Sequence, residues 1–263
     1  MGPSSRGATA ATGSRRRSVA EVSERPNGAG GQPDWWLDEL AHAGNEHLDP
    51  GYVAGYDRKA GHDPQADLDT LCRLGLDADS TLVDLGSGTG RLPLAAARIC
   101  RRLVAVDVST AMLGRLREDA ARAGLTNVEI VQAGFLSYVH QGRAADFVYS
   151  RHALHQLPDF WKAIALVRIA DILRPGGVLL LRDLVYTFDP AQTAGELETW
   201  LASAAGSAAD GWTRAELATH VREEHSTFSW LLEPMLEKAG FRIAEVDASR
   251  HPATYASYVC VRR

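Results

Sequence analysis

From residue 80 onward the chain alternates two patterns. Short apolar runs at Thr81–Leu85, Leu103–Asp107, Val128–Val131, Phe147–Ser150 and Val178–Asp183 are separated by longer segments of helical periodicity. The runs lack the strict polar alternation of a strand with one wet face. They predict strands covered on both sides, and the segments between them predict crossover helices. The result is an α/β fold with a doubly wound parallel sheet, and the fifth run, nearly all aliphatic, belongs at its centre.

Local signals mark the helix ends. Pro93 falls in the first turn of the helix after Gly90, where its missing N–H costs nothing. Ser109 is a good N-cap for a helix to about Arg122, closed by Gly124. A helix from about 159 is expected to stop at Arg174-Pro175-Gly176-Gly177. Residues 187–226 break the alternation and predict a helical insert, with Thr213 and Glu216 spaced as a capping box. A last helix over about 227–239 carries Pro234, expected to kink it. Phe241–Val246 and Tyr255–Val261 then predict two closing strands.

Upstream the pattern fades. Residues 1–33 are rich in Gly, Ser, Ala, Pro and Arg and predict disorder, because so little apolar surface cannot offset the entropy of ordering. Helical fragments are expected over 35–45 and 64–75, the second stopped by Gly75. The predicted organisation is a tail (1–33), an N-terminal helical cap (34–79), and one domain (80–263) interrupted by the insert.

Composition narrows the function. The net charge is −5, but residues 1–33 carry five Arg against two Glu, so the remainder carries −8. An acidic body argues against a nucleic-acid partner. No run of 18 apolar residues predicts a membrane span, and Arg15-Arg16-Arg17 is not followed by a signal-like apolar stretch. A cytoplasmic monomer or homodimer is expected. Cys72, Cys100 and Cys260 are widely spaced and predict three reduced thiols, and no histidine or cysteine spacing marks a metal site.

The candidate chemistry begins where the first strand ends, in Val83-Asp84-Leu85-Gly86-Ser87-Gly88-Thr89-Gly90. Glycine at every second position brings bare backbone N–H groups close to a ligand, and Asp107, ending the second strand, can hold ribose hydroxyls. A dinucleotide loop wants G-x-G-x-x-G, but Arg91 stands where its third glycine belongs, and the Lys-Ser/Thr of a P-loop is absent. Asp84 would repel pyrophosphate but suits an ammonium or sulfonium group.

These residues resemble the class I S-adenosylmethionine (SAM)-dependent methyltransferases of small-molecule type, whose first motif has the form D-x-G-x-G-x-G. Asp84, Gly86, Gly88 and Gly90 match it, and the segments Ser150–Leu157 and Leu173–Gly177 resemble later signatures of the family. The resemblance implies a Rossmann-like seven-stranded sheet with an antiparallel last strand, and SAM as cofactor. It implies that Gly86, Ser87, Gly88 and Gly90 cradle the methionine part, that Asp84 lies near its amino group, and that Asp107 accepts from the ribose. Val108 and Met112 would flank adenine, Ser150 would mark where the fourth strand meets the ligand, and Tyr56 would close over the methionine end. The family usually places an acidic residue after the third strand to contact the adenine amino group. Here Gly134 stands there, which leaves adenine to Phe135 and backbone groups.

Methyl transfer from a sulfonium mainly needs alignment of acceptor, methyl and sulfur. A base is needed only for a poorly ionised acceptor, and histidine suits that task. His152 and His225 are the candidates. His155 lies on an apolar face and reads as either a packing residue or a catalytic one, and Glu224 or His225 could point inward from the edge of the insert. Trp200, Trp212 and Trp230 could line an apolar acceptor cavity or belong to the core. No Pro-Pro-aromatic run follows the fourth strand and no cysteine marks a catalytic loop, so the expected acceptor is a small organic molecule methylated on O, N or C. Two alternatives stay open: a catalytically idle SAM-fold binding or scaffold protein, and an enzyme that uses SAM without consuming it.

Overall fold

A computed structural model of the chain describes residues 1–2, 33–43, 51, 53, 56, 59, 63–207, 211–249 and 253–263. The disorder expected over 1–33 therefore lies almost wholly outside the described residues. The chain divides into two compact units, Met1–Trp36 and Leu37–Arg263, and everything below concerns the second. In place of the helix expected over 35–45, the described residues show a short 3-10 turn, Leu40–His42. Gly51, Val53, Tyr56 and Lys59 are helical.

The strands fall on the apolar runs. They are β1 (Thr81–Leu85), β2 (Arg102–Asp107), β3 (Val128–Gln132), β4 (Ala145–Arg151) and β5 (Leu173–Tyr186). Helices α1 (Gln65–Arg73), α2 (Arg91–Ala96), α3 (Thr110–Arg122) and α4 (Asp159–Ile172) precede or connect them. The insert contributes α5 (Thr193–Ala202) and α6 (Arg214–Glu223), and β6 (Thr227–Phe228), α7 (Ser229–Lys238), β7 (Phe241–Asp247) and β8 (Tyr255–Arg262) complete the chain.

The sheet runs β3-β2-β1-β4-β5-β8-β7, with β6 pairing off this path onto the end of β5. The first five strands pair in parallel, and β8 is antiparallel to both its neighbours, as the family resemblance implied. All of β1 is buried, and the aliphatic stretch Leu179–Leu181 of β5 is wholly removed from solvent, which is why these strands carry no polar alternation.

Local signals hold at α3. The Ser109 side chain accepts from the Met112 N–H at 3.2 Å, and Gly124 closes the helix at φ +66°. The capping box of Thr213 and Glu216 is formed in full. Two expectations are corrected. Helix α4 ends at Ile172, and Arg174-Pro175-Gly176-Gly177 lies within β5, because Leu173 already pairs with Ala145 before the ladder's bulge. The last helix begins at Ser229, because Thr227 and Phe228 pair with Val185 and Tyr186.

Candidate functional site

Strand β1 lies between β2 and β4, so the strand order reverses there and opens a crevice at the carboxyl ends of the strands. The glycine loop fills that position. A Cβ on Gly86 (φ +79°) would stand 2.3 Å from the Ala153 Cβ, and one on Gly90 (φ +89°) 2.5 Å from the Leu116 Cγ. Gly88 (φ +54°) has nothing within 4 Å of its missing Cβ, so it faces open room. The loop N–H groups are not bare, contrary to expectation. Gly86 and Ser87 donate to the Val106 carbonyl at 2.9 and 3.0 Å, and Gly88 donates to Asp107 Oδ2 at 2.8 Å. Asp107 Oδ1 accepts from the Ser109 N–H at 2.8 Å. A carboxylate oxygen has two acceptor sites, so a ribose hydroxyl can donate to Asp107 beside these bonds.

The cleft over this loop brings together Gly86, Gly88, Asp107, Val108 and Met112 from one side with Gly134, Phe135 and Tyr56 from the other. Asp84, Ser87, Gly90 and Ser150 stand behind its lining. The Ser150 hydroxyl donates to the Leu85 carbonyl at 2.8 Å. Asp84 is 2% exposed, and burial, then the charges of Asp107 and Asp67, push its carboxyl well above the ordinary range. Among the described residues, Asp84 Oδ1 and the Ser87 hydroxyl are buried with no hydrogen-bond partner, a cost that a cationic ligand beside the loop would relieve. Below them Asp67, fully buried, accepts from the Tyr149 hydroxyl at 2.5 Å and pairs with Arg151 and Arg182.

Sequence reasoning missed Glu39. Its Oε1 accepts from the Leu136 N–H and its Oε2 from the Ser137 hydroxyl, both at 2.8 Å, and it lines the cleft. A Cβ on Gly134 would lie 2.3 Å from Glu39 Oε1, so the glycine opens the space that this carboxylate fills. Burial lifts the Glu39 carboxyl above its usual range despite those bonds.

A second cavity of ≈ 350 Å³ adjoins the cleft and shares Tyr56, His152 and Gln156 with it. Trp200 and Trp212 from the insert and Tyr255 from β8 form its apolar walls. Trp230, also expected as a candidate, lies 56% exposed and stacks on Phe228 instead. Lys59 pairs with Glu216 and stands 4.7 Å over the Trp212 ring, while Tyr56 meets that ring edge-on.

The three candidate histidines separate. His152 lines both cavities and, at φ +49°, is the one non-glycine residue with positive φ among the described residues. Such strain is held where a site needs it. His155 is buried on the floor of the second cavity, with Nδ1 2.5 Å from Asp183 Oδ1 and Nε2 2.9 Å from Glu224 Oε2. Burial disfavours its charge, yet the two carboxylates lift it to about 9. Glu224 does point inward, between His155 and His220. His225 lines neither cavity. It faces His42, and its backbone N–H donates to the His155 carbonyl at 2.9 Å.

A glycine loop at the switch point, with a carboxylate ending the next strand, defines a nucleoside-binding α/β protein. Comparison with known proteins makes the class specific. A family model described as "Methyltransferase domain" matches residues 82–177. The chain is 29% identical to a trans-aconitate 2-methyltransferase of Azoarcus sp. (strain BH72), over 74% of this chain and 82% of that protein. It is 30% identical to a ribosomal protein L11 methyltransferase of Symbiobacterium thermophilum, over 51% of this chain but only 41% of that protein. The magnesium protoporphyrin IX methyltransferase of Synechocystis PCC 6803, solved with bound S-adenosylhomocysteine (SAH), shares the fold at TM-score 0.60 and 14% identity, covering 86% of this chain and all of that one. The chain has the fold of the class I SAM-dependent methyltransferases, whose cofactor is SAM, and residues 82–177 match the methyltransferase domain of that class. No helix among the described residues is long and apolar enough to cross a membrane.

Proposed function

We propose that this chain transfers the methyl group of SAM to an oxygen, nitrogen or carbon atom of a small organic molecule held in the second cavity. The observation that carries this reading is the junction. The acceptor-sized cavity adjoins the nucleoside cleft, and Tyr56, His152 and Gln156 line both. Its volume lies in the range of small-molecule sites, and its aromatic walls suit a flat, largely apolar acceptor with one polar end. The match to the trans-aconitate enzyme, which runs along most of both chains, supports a small acceptor. So does the acidic body.

The residues fit the cofactor. SAM, when bound, supplies a methyl group already activated on a sulfonium. Gly86–Gly90 cradle the methionine part, orphaned Asp84 answers its ammonium charge, and Asp107 takes the ribose hydroxyls. Val108, Met112 and Phe135 enclose the adenine. Glu39 replaces the missing acid at position 134 and accepts from the adenine amino group. Tyr56 and His152 hold the acceptor in line, and alignment of this kind supplies roughly 7–11 kcal/mol. His152 takes the proton when the acceptor is a hydroxyl or amine.

The test is to incubate the full chain with methyl-labelled SAM and separated small-molecule, protein and RNA fractions of a cell extract. Label in the small-molecule fraction, with an equal amount of demethylated cofactor, is expected. Label confined to protein or RNA overturns the reading. So does turnover that leaves SAM unconsumed, or SAM binding with no transfer to any fraction.

A further inference from the structure

The floor of the second cavity holds a group of side chains that alignment of a methyl acceptor does not require. His155 comes from the short 3-10 turn Leu154–Gln156 after β4, His220 from α6, and Glu224 from the residue that caps α6. One ligand atom from each lies within 4.8 Å of the other two. Glu224 Oε2 stands between two rings, 2.9 Å from His155 Nε2 and in contact with His220 Nδ1. The ring centroids are 5.0 Å apart, as two imidazoles sharing one centre require.

The far side of each ring is already fixed. His155 Nδ1 is held by Asp183 Oδ1, and Asp183 is itself anchored by the N–H groups of His155 and Leu184 at 3.0 and 2.8 Å. His220 Nε2 is 2.8 Å from the Ser226 hydroxyl. Metal-binding histidines are oriented in this way, by a hydrogen bond from the ring nitrogen that does not ligate. With Nδ1 turned to Asp183, His155 Nε2 points at Glu224 Oε2 at 2.9 Å, with the Gln156 amide nitrogen 3.1 Å away, and either a proton or a metal ion joins ring and carboxylate there.

We propose that His155 Nε2, His220 Nδ1 and a Glu224 carboxylate oxygen bind one divalent transition-metal ion of the zinc class, with its open position facing the acceptor cavity. Ligand bonds of about 2.0–2.2 Å separate the donor atoms by roughly 3.3 Å in a tetrahedral site. Withdrawal of the Glu224 side chain from the two rings provides that spacing. The proton displaced from His155 leaves to solvent. Three protein ligands and one open place match the composition of zinc sites that take a further oxygen ligand. On the acceptor reading above, the ion would fix the acceptor's polar oxygen. The metal site itself does not depend on that reading.

The experiment is a titration of the chelator-stripped full chain with Co²⁺, followed by its visible d–d absorption, with Zn²⁺ as competitor. Binding of one equivalent, with a tetrahedral cobalt spectrum displaced by zinc, is expected. Glu224→Gln should weaken zinc binding at least about 100-fold, and Ser226→Ala, which frees the His220 ring, about tenfold. SAM affinity, measured on the same samples, reports whether each variant is folded. A wild-type chain that binds SAM but gives no cobalt spectrum and no zinc saturation overturns the proposal. So does zinc binding unchanged in folded Glu224→Gln, or in folded His220→Ala where the glutamine variant does not fold. Each failure leaves the methyl-transfer reading standing, since SAM binding is read separately.

Discussion

Glu39 and Gly134 offer a sharp test, because the structure makes them exclusive occupants of one space. Gly134 has no positive φ, so its backbone accepts any L-residue, and only room forbids a side chain there. The missing Cβ would lie 2.3, 2.5 and 2.7 Å from Oε1, Cδ and Oε2 of Glu39. Glu39→Ala removes a hydrogen bond to a charged acceptor, worth about 1.5–3 kcal/mol. At about 1.4 kcal/mol per tenfold, SAH should bind roughly 10–150-fold more weakly. Gly134→Asp alone forces two carboxylates together and should weaken binding about tenfold or more, with a coupling of ~0.5–3 kcal/mol to position 39. The double variant Glu39→Ala/Gly134→Asp then has one carboxylate in the usual family position, and its affinity should return to within about fivefold of wild type. Calorimetry with SAH and with its inosine analogue, which lacks the 6-amino group, measures this. Additive single effects would refute the exchange. Equal loss of affinity for both nucleosides in Glu39→Ala would refute amino-group recognition.

Three further outcomes follow from other contacts. Gly86→Ala, at φ +79° and 2.3 Å from the Ala153 Cβ, should cost about 1–3 kcal/mol in urea unfolding and lose SAM binding, with Ala153→Gly restoring part of both. Asp67→Ala strands Arg151, Arg182 and the Tyr149 hydroxyl, and should destabilise the chain by about 3–5 kcal/mol with little change in the urea m-value. Trp212→Ala removes one wall of the second cavity and about 1.5 kcal/mol of apolar contact, so acceptor KM should rise about tenfold while SAM affinity changes far less. A larger change in SAM affinity than in acceptor KM would move Trp212 out of the acceptor site.

What the sequence disclosed and what it concealed divide along a physical line. The strands β1, β2, β4 and β5 were legible because burial on both faces leaves a nearly continuous apolar run, a local property, whereas the edge strand β3 shows an exposed Glu129. The ends of α3 were legible for the same reason, since Ser109 and Gly124 act on their own backbone. The glycine loop was legible because the spacing of its glycines is itself the device. Glu39 was not, because its partners Leu136 and Ser137 are reached only through the fold, and nothing around position 39 advertises a ligand. His220 and Glu224 do stand four apart at the end of a capped helix, a readable pair, but His155 comes to them from the 3-10 turn after β4, far away in sequence. Trp230 carried no local sign that it would face water. Of the two candidates at the edge of the insert, Glu224 turns inward and His225 turns to His42, a choice that nothing in their local sequence settles.

Trp212 ties the two cavities together. Lys59 lies over its ring, and Tyr56, which lines both cavities, meets the same ring edge-on. A substitution that reshapes that ring therefore reaches the cofactor side as well as the far cavity.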